Sequence, residues 1–217
     1  MNKKTTILGI IAVAFLGGLF WYFGGRMNTK NQQASILNNV DELKTEQKED
    51  IELDEFVLGN PEALVTIIDY SSHLCGHCVN FHNQVLPLII EEYVKSGQVK
   101  IIPRLLSPVE LGMAVLCAQE NDKFLEMNDY LFENVNELQS MDDLKSVSEQ
   151  IGSDKNEFSA CLDSNRHENL VIKWFEGAAA DEVEGTPTFI VNGQKLVGNK
   201  TFSELKDLIE EELIKSE

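Results

Sequence analysis

The chain has 217 residues, 18 of them Lys or Arg and 36 Asp or Glu, for a formal net charge of −18. A body this acidic speaks against sequence-independent nucleic-acid binding, which needs a basic footprint. A hydrophobic content of 43% speaks against global disorder, and four cysteines are too few for a disulfide-built scaffold.

The charge is uneven: no Asp or Glu precedes Asp41, whereas Lys3, Lys4, Arg26 and Lys30 do. Between Lys4 and Arg26 lie 21 residues without a charge. As a helix rising ~1.5 Å per residue, that run spans roughly 30 Å, the thickness of a bilayer core. Trp21 and Tyr22 stand at its far end, where amphipathic rings suit the interface. Lys3 and Lys4 favour a cytoplasmic N-terminus. A cleaved signal peptide fits less well, because the run exceeds the usual ~7–15 apolar residues and lacks a small-x-small site. Residues 1–26 are therefore expected to be a cytoplasmic tip and a single transmembrane anchor, and either reading exports the remainder. Residues 27–51 are polar and read as a tether. The stripe Ile36, Leu37, Val40 and Leu43 is too short for a coiled coil.

Ala63 to Tyr70 is a β-branched apolar run and predicts a buried strand. Val79 to Tyr93 has helical spacing, with Pro87 expected to kink or split it. Gly97 ends that helix, and Val99 to Leu105 predicts a second strand. Residues 107–182 read as helices over about 109–121, 123–135, 141–151, 154–164 and 166–182. Asn121 or Asp122, Asp142 and Ser153 are candidate caps, with Gly152 a stop. Thr188 to Val191 and Lys195 to Val197 flank Asn192-Gly193, a hairpin signature. Thr201 to Ile214 predicts a terminal amphipathic helix. The alternation is that of an α/β fold.

Between the first strand and its helix stands Cys75-Gly76-His77-Cys78. Structural zinc needs four ligands; Cys117 and Cys161 are each isolated, although His73, His77 and His82 offer alternatives. Covalent haem needs His after the second Cys, and Val79 is there instead. Redox work needs the first Cys at a helix N-terminus, which is the context here. Unpaired N–H groups and the helix dipole favour an anion there, so the Cys75 pKa should fall. His77, when protonated, adds positive charge. Cys78, one turn on, should be less exposed and act as the resolving thiol. Asp69 is a carboxylate inside an apolar strand, costly to bury without a role. It is a candidate to accept the proton of Cys78. Thr186-Pro187 stands one step before a strand, where a cis-proline loop would lie.

Asp69, the Cys75–Cys78 motif after a strand, a helical insertion, and Gly185-Thr186-Pro187-Thr188-Phe189 before a hairpin together resemble the DsbA-like thiol:disulfide oxidoreductases. The run Leu58-Gly59-Asn60-Pro61-Glu62-Ala63 is similar too. The resemblance covers about residues 52–215, within a single unit at 52–217. It implies a thioredoxin-like α/β fold with an inserted helical subdomain at about 107–182, preceded by the anchor. It also implies Cys75 as nucleophile, Cys78 as resolving thiol and Asp69 as the buried acid. Thr186 and cis-Pro187 would present the substrate strand. Cys117 and Cys161 can each be a buried small hydrophobe, or pair as a structural disulfide within the insertion, as in some members.

The expected activity is exchange through the Cys75–Cys78 disulfide, with no other cofactor and no metal ligand set assigned. Expected partners are reduced or unfolded exported proteins and a membrane redox partner. The expected location is the periplasmic or outer side of the membrane. The Gly76-His77 dipeptide and Thr186 also occur in isomerase-type members, so an isomerase or reductase kept reduced by a membrane partner is the alternative. A tethered metal-binding or holdase module is the non-enzymatic one.

Overall fold

The computed structural model describes residues 55–216. The expected anchor at 1–26 and tether at 27–51 lie outside the described residues. Among the described residues, no helix is long and apolar enough to cross a membrane.

Five strands form one mixed sheet in the order β1-β3-β2-β4-β5. They are β1 (Leu58–Gly59), β2 (Val65–Ser71), β3 (Val99–Leu105), β4 (Thr188–Val191) and β5 (Gln194–Val197). The central strand β2 runs parallel to β3, Val65 opposite Val99 and Ser71 opposite Leu105. It runs antiparallel to β4, Ile67 opposite Val191 and Tyr70 opposite Thr188. The inner position explains the near-continuous apolar character of β2, since a strand covered on both faces has little need of alternation. The two-residue edge strand β1 falls in the run read from sequence as a lead-in; it is too short to leave a periodic signal.

The crossover from β2 to β3 is α1 (Gly76–Gln84), α2 (Leu86–Ile89) and a π-helical turn over Ile90–Val94. Pro87 splits the helix, as expected, and sits in the first turn of α2, where a missing N–H leaves no bond broken. In the β4–β5 turn Asn192 and Gly193 both have positive φ, the geometry that makes Asn-Gly favourable between two strands. The chain closes on α8 (Phe202–Ser216). Phe81, Phe189, Val191, Leu205 and Ile209 join the apolar residues of β2 and β3 in one buried cluster beneath the sheet.

Between β3 and β4 stand five helices: α3 (Val109–Gln119), α4 (Phe124–Asn134), α5 (Met141–Gln150), α6 (Lys155–Ser164) and α7 (Glu168–Ala180). Their starts differ from the expected caps. Ser140 and Asp143 form a reciprocal capping box on α5, and Asp154 caps α6 through the N–H groups of Asn156 and Glu157. The Asn121 amide oxygen instead accepts from Ser153 Oγ and the Asp154 N–H, tying two connections together. Several polar residues in a row offer capping chemistry, and only the packed helix selects one.

The helical cluster is built on α3, whose seven consecutive residues Gly112–Ala118 are all buried. A Cβ on Gly112 would stand 2.9 Å from both γ-carbons of Val171. Gly112→Ala is expected to overpack the α3–α7 contact and cost about 1–3 kcal/mol, read as a lower urea midpoint with unchanged slope. This cluster includes Cys78 and Leu105, so the sheet domain and the insertion meet at the motif.

Candidate functional site

The parallel and antiparallel neighbours of β2 decide which loops meet. The chain leaves β2 after Ser71, and β4 starts at Thr188 opposite Tyr70. The loops at 72–75 and 185–187 therefore lie at the same end of two paired strands. The Cys75 N–H donates to Ser72 O at 3.0 Å, turning the chain so that Cys75 becomes the N-cap of α1 with extended backbone. Its sulfur accepts the Cys78 N–H at 3.4 Å. Its thiol donates to the Thr186 carbonyl at 3.3 Å. The Thr186–Pro187 peptide is cis. That loop is pinned by Gly198 N–H to Pro187 O at 2.8 Å and Thr188 Oγ1–H to Gly185 O at 2.7 Å.

Cys75 and Cys78 are free thiols in this structure, the first partly exposed and the second fully buried. Their proton affinities diverge. Burial works against the Cys75 thiolate but is outweighed by hydrogen bonds from the Cys78 thiol, the Thr186 side chain, and the backbone N–H groups of Cys78 and His77, so its pKa lies below the ordinary thiol value. Burial, then the thiol hydrogen bond shared with Cys75, pushes Cys78 up to about 12. One sulfur is thus reachable and anion-stabilised, and its neighbour is hidden and holds its proton. This is the asymmetry that thiol–disulfide exchange uses: a stable thiolate and good leaving group outside, a second thiol inside.

The His77 side chain is exposed. What it contributes to the Cys75 sulfur is the backbone N–H of the first helical turn. That role any residue but proline can fill. Asp69 is buried at 7% exposure and accepts from Ser71 Oγ at 2.5 Å. Burial raises its pKa to about 6, against lowering by the Ser71 hydroxyl and by His82. Its direct partner is Ser71, not a cysteine.

The residue that sequence reading underused is His73. In the sequence it stands out only as a candidate metal ligand. The structure buries it to 1% exposure, two positions before Cys75. Its Nδ1 lies 3.0 Å from Ser107 Oγ and its Nε2 3.0 Å from Asn128 Oδ1. Its backbone N–H donates to the same Ser107 oxygen at 2.9 Å. Because Asn128 Oδ1 only accepts, Nε2 carries the proton and Nδ1 accepts from Ser107. Burial lowers the ring's pKa to about 4, so it is neutral at pH 7. The ring also packs against Phe132, whose other neighbour is His82, itself paired with Asp129. His73 thereby clamps the loop carrying Cys75 to the β3 exit and to α4. Its partners are 34 and 55 residues away, so no local spacing could reveal the clamp. His73→Phe keeps the bulk but strands the Ser107 hydroxyl and the Asn128 amide. It is expected to cost about 1–3 kcal/mol, measured by denaturant unfolding.

Cys117 and Cys161 are joined, Cα to Cα 5.7 Å, and link α3 to α6 inside the insertion. With His73 and His82 engaged elsewhere, the Cys75–Cys78 pair is not part of a metal-ligand cluster among the described residues.

The sequence model of the family described as Thioredoxin matches residues 52–211. A Rickettsia typhi protein named as a protein-disulfide oxidoreductase is 24% identical over 194 residues, covering 77% of this chain and 72% of that one. The structure of α-DsbA1 from Wolbachia pipientis superposes with a TM-score of 0.66 at 20% identity, covering 74% of this chain and 91% of that one. Oxidised BdbD from Bacillus subtilis gives 0.67 at 22% identity, covering 76% and 95%. At these identities the two structures speak to the fold, which has the same thioredoxin-like sheet with helices, and the family match speaks to membership. The chain belongs to the thioredoxin family, and the Rickettsia relative it resembles is named a protein-disulfide oxidoreductase.

Proposed function

We propose that this protein is an exported, membrane-anchored oxidase that introduces disulfides into secreted or periplasmic proteins. Residues 1–26 serve as its anchor, and Cys75–Cys78 is its redox pair. In the working direction the pair starts as a disulfide. A substrate thiolate attacks Cys75 Sγ, forming a mixed disulfide and releasing the Cys78 sulfur, which takes up a proton. A second substrate thiolate attacks the substrate sulfur, and Cys75 departs as thiolate. The substrate gains a disulfide and the enzyme gains two electrons. A membrane partner carrying a disulfide then removes them. Thr186 and Pro187, beside the Cys75 sulfur, are positioned to align the substrate chain. Asp69 is the proposed acceptor of the Cys78 proton in the return step, when the membrane partner reoxidises the pair.

The observation that carries this reading is the stabilised Cys75 sulfur at the helix N-cap. A low thiolate pKa favours the dithiol form and makes the disulfide the stronger oxidant. The Gly76-His77 dipeptide favours the alternative, an isomerase or reductase held reduced by its partner. Equilibration of the pair with glutathione separates them: a potential near about −120 mV is expected for the oxidase, and one near about −270 mV overturns it in favour of a reductase.

A further inference from the structure

Beside the redox pair lies a buried polar chain, and one peptide unit joins the two. The Ser72 carbonyl accepts the Cys75 N–H at 3.0 Å. The other end of that same peptide, the His73 N–H, donates to Ser107 Oγ at 2.9 Å. Ser107 Oγ also lies 3.0 Å from His73 Nδ1 and 3.4 Å from Ser72 Oγ. A hydroxyl has one proton to give and two lone pairs to accept with. Ser107 gives its proton to Nδ1 and accepts from the His73 N–H and the Ser72 hydroxyl, so its capacity is full. The far ring nitrogen ends on Asn128 of α4 at 3.0 Å. Ser72, His73, Ser107 and Asn128 are all buried.

Packing alone does not account for this chain. Phe132 already offers position 73 an aromatic partner, which a phenyl ring would accept as well. What the imidazole adds is direction. It is bonded at both nitrogens, and it orients the hydroxyl that holds the 72–73 peptide. Because a peptide unit is planar, turning its N–H end turns its carbonyl too. The carbonyl sets where Cys75 enters α1, and with it the alignment of Sγ on the N–H groups of the first turn. We propose that His73 is a positioning residue for thiol–disulfide exchange, acting through Ser107 and the Ser72–His73 peptide to hold Cys75 at the helix N-cap. Its bond to Asn128 serves to orient the ring. With the peptide released, the Cys75 anion loses part of its hydrogen bonding. The dithiol is then less favoured and the disulfide harder to reduce. The Ser72 N–H, one of the groups that favour a Cys78 thiolate, moves with the same loop and shifts the balance the same way.

The test uses the full chain in detergent. The Cys75–Cys78 pair is equilibrated with reduced and oxidised glutathione, and the pH midpoint of Cys75 alkylation by iodoacetamide is measured in the same variants. His73→Phe is expected to make the pair about tenfold harder to reduce, the scale of one hydrogen bond to an anion, and to raise the midpoint. His73→Asn places an amide oxygen where Nδ1 stands. It should keep the parent's equilibrium and midpoint while losing stability with the Asn128 bond. A folded His73→Phe with the parent's equilibrium and midpoint overturns the proposal. So does an equal shift in Gly112→Ala, which loosens the α3–α7 contact and touches none of these groups. If His73→Phe does not fold, Ser107→Ala carries the same expectation, and its lack of a shift overturns the proposal. Each reading is a difference from the parent, so it holds for an oxidase or a reductase. The proposal rests on exchange at Cys75–Cys78, and a parent pair that never equilibrates with glutathione would sink that reading instead.

Discussion

Cys75→Ser is expected to abolish thiol–disulfide exchange, while Cys78→Ala is expected to arrest exchange with an oxidised substrate at the mixed disulfide. The two losses differ because the two sulfurs stand in different places. Cys75 is partly exposed at the helix N-cap, while Cys78 is fully buried one turn on. With Cys75 removed no sulfur reaches the substrate, and activity should fall to the uncatalysed background. With Cys78 removed, Cys75 still forms a mixed disulfide with oxidised substrate, but nothing inside the protein resolves it. Non-reducing electrophoresis should then show a stable covalent adduct, absent in Cys75→Ser and reversed by added thiol. The pH profile follows from the lowered Cys75 pKa. Alkylation of the reduced protein by iodoacetamide should rise with pH through a midpoint below that of an ordinary cysteine. Retained exchange in Cys75→Ser, or an adduct that forms equally well through Cys78, would remove Cys75 from its role.

Much of this site was legible in sequence because its chemistry is local. A strand, a Cys-x-x-Cys pair and a helix adjoin one another, so the N-cap position of Cys75 follows from element order alone. The β4 loop was legible for a similar reason, since a strand-initiating Thr-Pro step is a local pattern. Asp69 was visible because a carboxylate breaks an apolar run. What was not legible arises from convergence of distant elements. His73 meets Ser107 and Asn128 only after β3 and α4 have packed. At His77 the structure shows an exposed side chain and a backbone N–H that favours the Cys75 thiolate.

Asp69→Asn is expected to stabilise the protein at neutral pH and to make its stability more dependent on pH. Burial raises the Asp69 pKa from 3.8 to about 6. The folded form therefore holds a proton that the unfolded form releases above about pH 4. The Asp69 contribution is most favourable below its unfolded pKa and is lost as pH rises through the folded value. A shift of about two units corresponds to about 3 kcal/mol of destabilisation at pH 7. Asn resembles the protonated acid, can keep a hydrogen bond with Ser71 and never ionises, so the variant escapes that loss. His73 acts with the opposite sign. Its pKa falls from 6.5 to about 4, so the unfolded chain takes up a proton that the folded one refuses, and stability declines as pH drops below about 6.5. In the native protein these two opposed slopes overlap between about pH 4 and 6 and largely offset each other. Asp69→Asn removes one of them and exposes the other. Urea unfolding at pH 4, 5, 6 and 7 should show the variant level with the parent at pH 4 and about 3 kcal/mol more stable at pH 7. Exchange activity should fall over the same range if Asp69 takes the Cys78 proton. A variant no more stable than the parent at pH 7, or one whose advantage is the same at every pH, would mean that Asp69 is not carrying a buried charge. Its burial would then have no link to the redox pair.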